Sequence, residues 1–190
     1  MNRWLISVTL LWIVVTNILF AVPENKIESV MHQKIHAISD LLKEKRTPLI
    51  KKKGKIFALV DDVFDYKTMA RIALGRKWKT LTPDQQQLFA KKFERKLKDS
   101  YFDKLKFYSD QKVVLKGQKK VKKNRIKLYS QIIGKDDVYD VVYKFYKDKK
   151  SNDWKIYDVD IAKVSMIQTY RKQFADFLRH KSVDELIKTI

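Results

Sequence analysis

The ten residues VYDVVYKFYK, 138–147, give the clearest indication of the fold class of this 190-residue chain. From 139 to 145 every odd-numbered position is Tyr, Val or Phe, whereas Asp140 and Lys144 occupy even-numbered positions. Side chains alternate between the two faces of a β-strand. This period of two therefore predicts a strand with one apolar face and one mixed face.

Three further segments around this strand have the same alternation and the same abundance of Val, Ile and Tyr. Short breaks separate the segments, at Gly117, at residues 134–137 and at residues 148–152. Because connections this short join antiparallel neighbours, the pattern predicts a meander of about four strands. The predicted strands are 112–116, 125–133, 138–147 and 153–161.

A helical period replaces the alternation on both sides of this sheet. Thr82, Pro83 and Gln85 have the spacing of an N-cap, a first helical residue and the closing residue of a capping box. We therefore expect an α+β domain, with mainly N-terminal helices on a curved antiparallel sheet, a C-terminal helix and an apolar pocket between helices and sheet. The predicted helices are 27–42, 49–63, 67–74, 83 to about 108, and 165–178, with 183–190 extending or docking the last.

The first 21 residues differ from the rest of the chain. Arg3 is their only charge, Trp4 to Phe20 is mostly apolar, and Ala21 supplies a small residue for cleavage. This pattern predicts a secretory signal peptide over residues 1–21, a single domain over residues 22–190, and a periplasmic location. The alternative is an uncleaved anchor on a scaffold or adaptor, because this apolar run is close to the minimum length of a membrane span.

The charge of the chain is strongly positive. Lys and Arg number 42 against 22 Asp and Glu, which gives a formal net charge of +20, and 45% of the residues are hydrophobic. That apolar share excludes a disordered basic tail. Nucleic acid is the usual partner of such a charge, but the predicted export and the lack of a recognition motif disfavour it. Anionic lipid surfaces and acidic protein faces remain as partners of the basic exterior.

The sequence shows no set of catalytic or metal-binding residues. Cysteine is absent, and no nucleophile elbow, phosphate loop or dinucleotide fingerprint occurs. His32 and His36 are spaced like two metal ligands on one helix face, but Gln33 stands where the zinc-helix motif requires Glu. We therefore expect no metal site. Helix ends and turns account for the acidic pairs near residues 61 and 136.

Two stretches, residues 64–105 and 154–174, are similar to the MlaC or toluene-tolerance family of periplasmic phospholipid carriers. The first stretch contains Phe64-Asp65-Tyr66, Met69-Ala70, Leu74-Gly75, Trp78, Leu81 to Gln86, Phe89, Phe93, Tyr101 and Leu105. The second contains Trp154 to Val159, Val164-Ser165, Tyr170-Arg171 and Phe174. Lys163 departs from the pattern, because the family usually has Gly before the Val-Ser pair, so the turn there is expected to differ.

The resemblance implies a non-enzymatic carrier with an NTF2-like shape, with phospholipid as cargo and no cofactor. It implies transport between an outer-membrane lipoprotein and porin complex and an inner-membrane ABC transporter complex, which maintains the lipid asymmetry of the outer membrane. Contact with a membrane surface would be transient. We expect Arg171 to pair with a carboxylate such as Asp158, and contact with a lipid headgroup is the alternative role for it.

If the chain is such a carrier, we expect apolar residues of the helices predicted at 67–74 and 83 to about 108, and of the last two predicted strands, to line the acyl pocket. Ordinary core packing is the competing explanation for the same residues. The candidates are Tyr66, Met69, Phe89, Phe93, Leu97, Val141, Tyr143, Phe145, Ile156, Val159 and Ile161.

A small periplasmic enzyme of the isomerase or dehydratase type is the alternative function. Such enzymes use a conical pocket between helices and a curved sheet, with one buried acid or base for proton transfer. Asp158 and Asp160 are the candidate bases. A carboxylate with a raised pKa in the pocket would favour the enzyme, whereas a wholly apolar pocket would favour the carrier.

Overall fold

The computed structural model describes residues 22–105 and 111–190, so the predicted leader lies outside the described residues. Its sheet is antiparallel throughout, curved and open, with the strands in sequence order. The strands are β1 Lys112–Lys122, β2 Arg125–Ile133, β3 Val138–Lys147, β4 Trp154–Ile161 and β5 Val164–Ser165. The predicted α+β class and antiparallel meander are confirmed, and β5 is a short addition to the four expected strands.

The expected end of the first strand at residue 116 is wrong. Gly117 is not a turn but an irregularity inside β1, where the register jumps between Leu115 and Gln118 and φ of Gly117 is +89°. Glycine adopts this left-handed conformation without the clash that a side chain would cause. The lysine-rich second half of β1 therefore continues to pair with β2 up to Lys122.

Six α-helices and two short 3-10 helices, Glu24–Lys26 and Gly75–Thr80, occupy the described part of the chain outside the sheet. No helix within residues 22–105 and 111–190 combines the length and apolarity that crossing a membrane requires. The α-helices are α1 Ile27–Lys43, α2 Leu49–Ala58, α3 Tyr66–Leu74, α4 Pro83–Leu105, α5 Met166–Phe177 and α6 Val183–Thr189.

The helix boundaries follow local capping. The Thr82 hydroxyl accepts from the Gln85 N–H at 3.2 Å and the Gln85 side chain accepts from the Thr82 N–H at 3.0 Å, which confirms the predicted start of α4. Asp65 caps α3 by accepting from the Thr68 N–H at 2.8 Å. The predicted extension of α2 to residue 63 is wrong, because the chain leaves the helix after Ala58 in tight turns.

Aromatic rings of α4 and α5 fill the space between the helices. Phe93 contacts Phe89, Phe174 and Tyr170 at ring-centroid distances of 6.0, 5.5 and 5.1 Å. Phe89 and Phe93 have no exposed surface. Burying a side chain of this size stabilises the fold by about 1.5–3 kcal/mol, so this cluster holds α4 and α5 together.

A bulge in β4 decides which of its residues face the helices. Lys144 lies opposite Asp158 and Phe145 lies opposite Ile156, so Tyr157 is an extra residue on β4. An extra residue reverses the alternation that follows it. Ile156 and Val159, three positions apart, therefore face the same side of the sheet.

The turn between β4 and β5 keeps a conformation that favours glycine. Ile161 pairs with Val164, and the two residues between them, Ala162 and Lys163, have φ values of +49° and +68°. Two left-handed residues in a two-residue loop are the signature of a type I′ turn. Lys163 thus occupies the place of the usual family glycine in a strained conformation.

Candidate functional site

A cavity of about 200 Å³ lies between α4, the end of α2, α3 and the strands β3 and β4. Among the described residues that line it, Lys98 alone is charged, and the others are aliphatic, aromatic or Met. The lining residues are Phe57, Val60, Phe64, Tyr66, Met69, Leu97, Lys98, Tyr101, Tyr143, Val159, Ile161 and Met166. An apolar space of this kind accepts an apolar ligand and disfavours water.

The structure divides the eleven candidate residues into two groups. Six of them line the cavity, namely Tyr66, Met69, Leu97, Tyr143, Val159 and Ile161. The other five, Phe89, Phe93, Val141, Phe145 and Ile156, belong to the buried core and are not part of the lining. Contact of any of the eleven with lipid stays a prediction.

Backbone pairing between β4 and the segment before α3 fixes one wall of the cavity. The Ile156 N–H donates to the carbonyl of Val63 at 2.7 Å, and the Asp65 N–H donates to the carbonyl of Ile156 at 2.9 Å. These bonds hold Phe64 and Tyr66 beside the strand, where their rings stack at 5.7 Å. Backbone hydrogen bonds therefore fix the position of this wall of the cavity.

Six lining residues are not among the candidates from the sequence, namely Phe57, Val60, Phe64, Lys98, Tyr101 and Met166. Tyr101 lies one helical turn after Leu97, so the helical spacing contained the signal for it. Phe57 and Val60 come from the end of α2 and the turn after it, where no periodicity shows the direction of a side chain.

Lys98 places one positive charge where the cavity meets solvent. Its ammonium lies 2.7 Å from Asp61 Oδ1 and 2.7 Å from Glu94 Oε1, and 4.8 Å from the centre of the Tyr66 ring. Burial lowers the pKa of Lys98, but the hydrogen bonds to Asp61 and Glu94 outweigh burial and raise it. Lys98 therefore stays charged and joins α4 to the turn after α2.

The phenols of the lining remain neutral at physiological pH. Burial raises the pKa of Tyr101 to about 12. Burial and the nearby Asp61 carboxylate, which accepts from the Tyr66 hydroxyl at 3.0 Å, also raise the pKa of Tyr66. The tyrosine hydroxyls of the lining therefore offer hydrogen bonds but add no charge to that of Lys98.

The expected pair of Arg171 with Asp158 is wrong. Asp158 accepts from Lys144 Nζ at 2.9 Å, from the Ser165 hydroxyl at 2.7 Å and from the Ile167 N–H at 3.1 Å. Arg171 is instead exposed and lies beside Gly75, where an added Cβ would be 3.5 Å from Arg171 Nε. Asp158 thus ties the start of α5 to the sheet.

Neither candidate base lines the cavity. Lys144 lies between them, 2.9 Å from Asp158 and 2.6 Å from Asp160. Burial lowers the pKa of Lys144, but its hydrogen bonds to Asp160 and Asp158 outweigh burial and raise it. The two carboxylates therefore share a charged partner.

The histidine pair of α1 is engaged in a local contact. His36 Nδ1 lies 2.9 Å from Asp40 Oδ2, and the His32 and His36 rings are 6.3 Å apart. Within the ranges 22–105 and 111–190, no three His, Cys, Asp or Glu side chains are grouped so that they could hold a metal ion.

Comparisons with known proteins identify the family of the chain. The family profile described as "MlaC protein" matches residues 29–190. The intermembrane phospholipid transport system binding protein MlaC of Haemophilus influenzae is 31% identical over 117 residues, which are 60% of this chain and 55% of that protein, so the match spans about half of its length. A solved phospholipid-binding protein from Ralstonia solanacearum, in complex with a phospholipid, superposes with a TM-score of 0.72 at 25% identity, over 85% of this chain and 92% of that chain. The chain belongs to the MlaC family.

Proposed function

We propose that the chain binds a phospholipid in the apolar cavity and carries it between two membranes. The main support for this proposal is the almost uncharged cavity between helices and sheet. The chain has the fold of a protein that was solved with a phospholipid. The name of the Haemophilus influenzae relative, a binding protein of an intermembrane phospholipid transport system, supports the transport role.

The hydrophobic effect explains why such a carrier must enclose its cargo. Burial of one CH₂ group is worth about 0.8 kcal/mol, so two acyl chains of about 15 methylenes each would cost about 24 kcal/mol if exposed to water. A cavity lined by side chains such as Met69, Leu97 and Val159 replaces that water with apolar contacts. Because a bilayer offers the same contacts, loading and release can be close to balance.

The size of the cavity implies that it expands to take a phospholipid. Pockets for drug-sized ligands have volumes of about 300–1,000 Å³, whereas this cavity measures about 200 Å³. Two ion pairs join α2 and the turn after it to α4, Lys98 with Asp61 at 2.7 Å and Lys53 with Asp99 at 2.5 Å. Movement of α2 away from α4 would enlarge the cavity without disturbing the aromatic cluster of α4 and α5.

The compartment and partners follow from the same proposal. The carrier works in the periplasm, with residues 1–21 as its export signal, and exchanges lipid with an outer-membrane lipoprotein and porin complex and an inner-membrane ABC transporter complex. This exchange maintains the lipid asymmetry of the outer membrane. The positive exterior attracts acidic docking faces and anionic lipid over about a Debye length, roughly 8 Å at physiological salt.

The site favours a carrier over the isomerase or dehydratase alternative. Among the residues that the structure describes, the lining contains no carboxylate. Its one amine, on Lys98, has a raised pKa, whereas a lysine that acts as a base at neutral pH needs a lowered one. Binding of an apolar ligand requires neither group to lose a proton.

Lipid extraction and uptake test the proposal together. The chain is purified without detergent, extracted with organic solvent and analysed by mass spectrometry, and the lipid-free protein is then mixed with vesicles that contain labelled phospholipid. We expect co-purifying phospholipid and uptake of the label. Absence of both would contradict the proposal. The Val159→Phe variant, in which a larger side chain fills the cavity, serves as the negative control and is expected to take up no labelled phospholipid.

A further inference from the structure

The β1–β2 hairpin carries positive charge and contains no acidic residue of its own. Residues 111–133 contain eight Lys or Arg and no Asp or Glu. Four of the eight, Lys119, Lys122, Arg125 and Lys127, form two cross-strand pairs, and we call these four residues the basic ladder. Lys119 lies opposite Lys127, and Lys122 lies opposite Arg125.

The basic ladder brings like charges together on one face of the sheet. Residues directly opposite each other on antiparallel strands share a face, and like charges in that arrangement destabilise the pair. No carboxylate of the described residues lies within ion-pair distance of the four side chains. Lys120, next to Lys119 in sequence and opposite the buried Ile126, is paired with Glu24 at 2.8 Å. The folded protein therefore bears a repulsion that an anionic ligand would relieve.

Arg125 is held in place while most of its donors stay free. Its guanidinium lies over the rings of Tyr146 and Tyr157, 5.5 and 5.3 Å from their centres, and donates to the carbonyl of Asn124 at 2.8 Å. Beside it is a surface depression of about 330 Å³, lined in part by Lys122 and by residues next to it in the hairpin. A stacked, planar guanidinium is already ordered for bonding to a phosphate group.

We propose that the basic ladder docks the protein on a membrane surface by binding anionic phospholipid headgroups. A protein partner would need an exposed apolar and aromatic interface core beside the charges. Tyr146 and Tyr157 are only partly exposed and lie under the Arg125 guanidinium, and Val121, 43% exposed, is among the described residues the one large apolar side chain exposed at this end of the hairpin. Clustered lysines and arginines without such a core bind anionic lipid surfaces with about 1 kcal/mol each, or about five-fold in affinity. The proposal rests on the membrane contact in the proposed function, not on the cargo.

Sedimentation with sucrose-loaded vesicles tests the docking site. The purified chain is mixed with vesicles of phosphatidylcholine alone or of phosphatidylcholine with phosphatidylglycerol, at low and high salt. We expect binding that requires phosphatidylglycerol and falls with salt. Lys119→Gln with Lys127→Gln should weaken binding about 25-fold, because each of the two charges contributes about five-fold. The control, Lys77→Gln with Lys79→Gln, removes the same charge from the 3-10 helix Gly75–Thr80 and should change binding little.

The same variants separate docking from a structural role and from cargo binding. Because Lys119 repels Lys127, their replacement should leave the melting temperature unchanged or raise it. Equal binding to both vesicle types, as expected for a site for an acidic protein, would overturn the proposal, as would equal losses in the two double variants. Lipid extracted from each variant reports on cargo: its absence from all of them would refute the proposed function and leave the docking result standing.

Discussion

The two halves of α4 present similar apolar side chains, but the first half packs against α5 whereas the second half borders the cavity. Phe93, in the first half, has ring-centroid distances of 5.1 Å to Tyr170 and 5.5 Å to Phe174 of α5. Leu97 and Tyr101, one and two turns later, line the cavity instead. The side chains of α4 thus lie in a filled region and in an empty one within a few residues.

The elements that pack against each half of α4 determine whether its apolar side chains become part of the core or line the pocket. The aromatic residues of α5 reach the first half of α4 and fill the space beside it. The second half faces Tyr143, Val159 and Ile161 of the sheet and the end of α2, which leave a gap. Close packing is the rule in protein interiors, so this apolar gap is the place where the proposed ligand would bind.

Truncation on each side of this boundary should give the largest effects. We expect Phe93→Ala to lower the free energy of unfolding by about 3–5 kcal/mol, because it removes a ring from a filled cluster. Leu97→Ala should cost only about 2 kcal/mol, the lower end for such a change, because part of its surface already faces the cavity. Urea denaturation measures both. Equal losses would mean that the two halves are packed alike.

Substitution by larger side chains should again cost more in the packed region than at the cavity. Ala73→Leu, at a buried position of α3, overfills the packed region and should cost about 1–3 kcal/mol. Val159→Phe adds volume into the gap and should change the free energy of unfolding by less than about 1 kcal/mol. A Val159→Phe variant as unstable as Ala73→Leu would show that the cavity is not free to be filled.

Lys98→Met tests whether the ion pairs of Lys98 hold α4 and the turn after α2 together beside the cavity. Loss of the pairs with Asp61 and Glu94 should lower the free energy of unfolding by about 1 kcal/mol and speed lipid uptake. Because the pKa of Lys98 is raised in the folded protein, its contribution is complete below the unfolded pKa of about 10.4 and disappears as the pH rises through the folded pKa. Urea denaturation from neutral to alkaline pH measures this. Lys91→Met, on the same helix, is the control, and an equal loss there would remove the special role of Lys98.

Relief of strain in the β4–β5 turn should have the smallest effect. Ala162→Asn with Lys163→Gly places Asn-Gly in a type I′ turn and should raise the free energy of unfolding by up to about 1 kcal/mol. Because the turn lies beyond the cavity wall formed by β4, lipid binding should not change. A lower melting temperature by calorimetry would contradict the assigned turn conformation.

The sequence predicts most of the architecture, because its signals there are local. The alternation of β2 and β3 predicted the limits of both strands, and the capping box predicted the start of α4. The expected end of α4 near residue 108 lies outside the described residues. Gly117 led to the wrong end for β1, because a glycine in such a segment marks either a turn or a bulge. Only the pairing of the lysine-rich residues after it with β2 distinguishes the two.

The candidate site is less predictable, because it depends on packing between distant segments. Six of eleven candidates reach the cavity, yet Phe89 and Phe93 cannot be told from Leu97 by helical spacing. The bulge at Tyr157 sets the direction of Val159 without any sequence signal. The bonds of Asp158 to Lys144 and Ser165 replaced the expected Arg171 pair for the same reason.

Native mass spectrometry of the purified chain and of its Val159→Phe variant tests the central claim most directly. The claim is that the cavity at Tyr143, Val159 and Ile161 holds the phospholipid. We predict that the chain carries a mass increment equal to one phospholipid and that the folded variant carries none. An equal increment on both proteins would contradict the claim and place the lipid elsewhere.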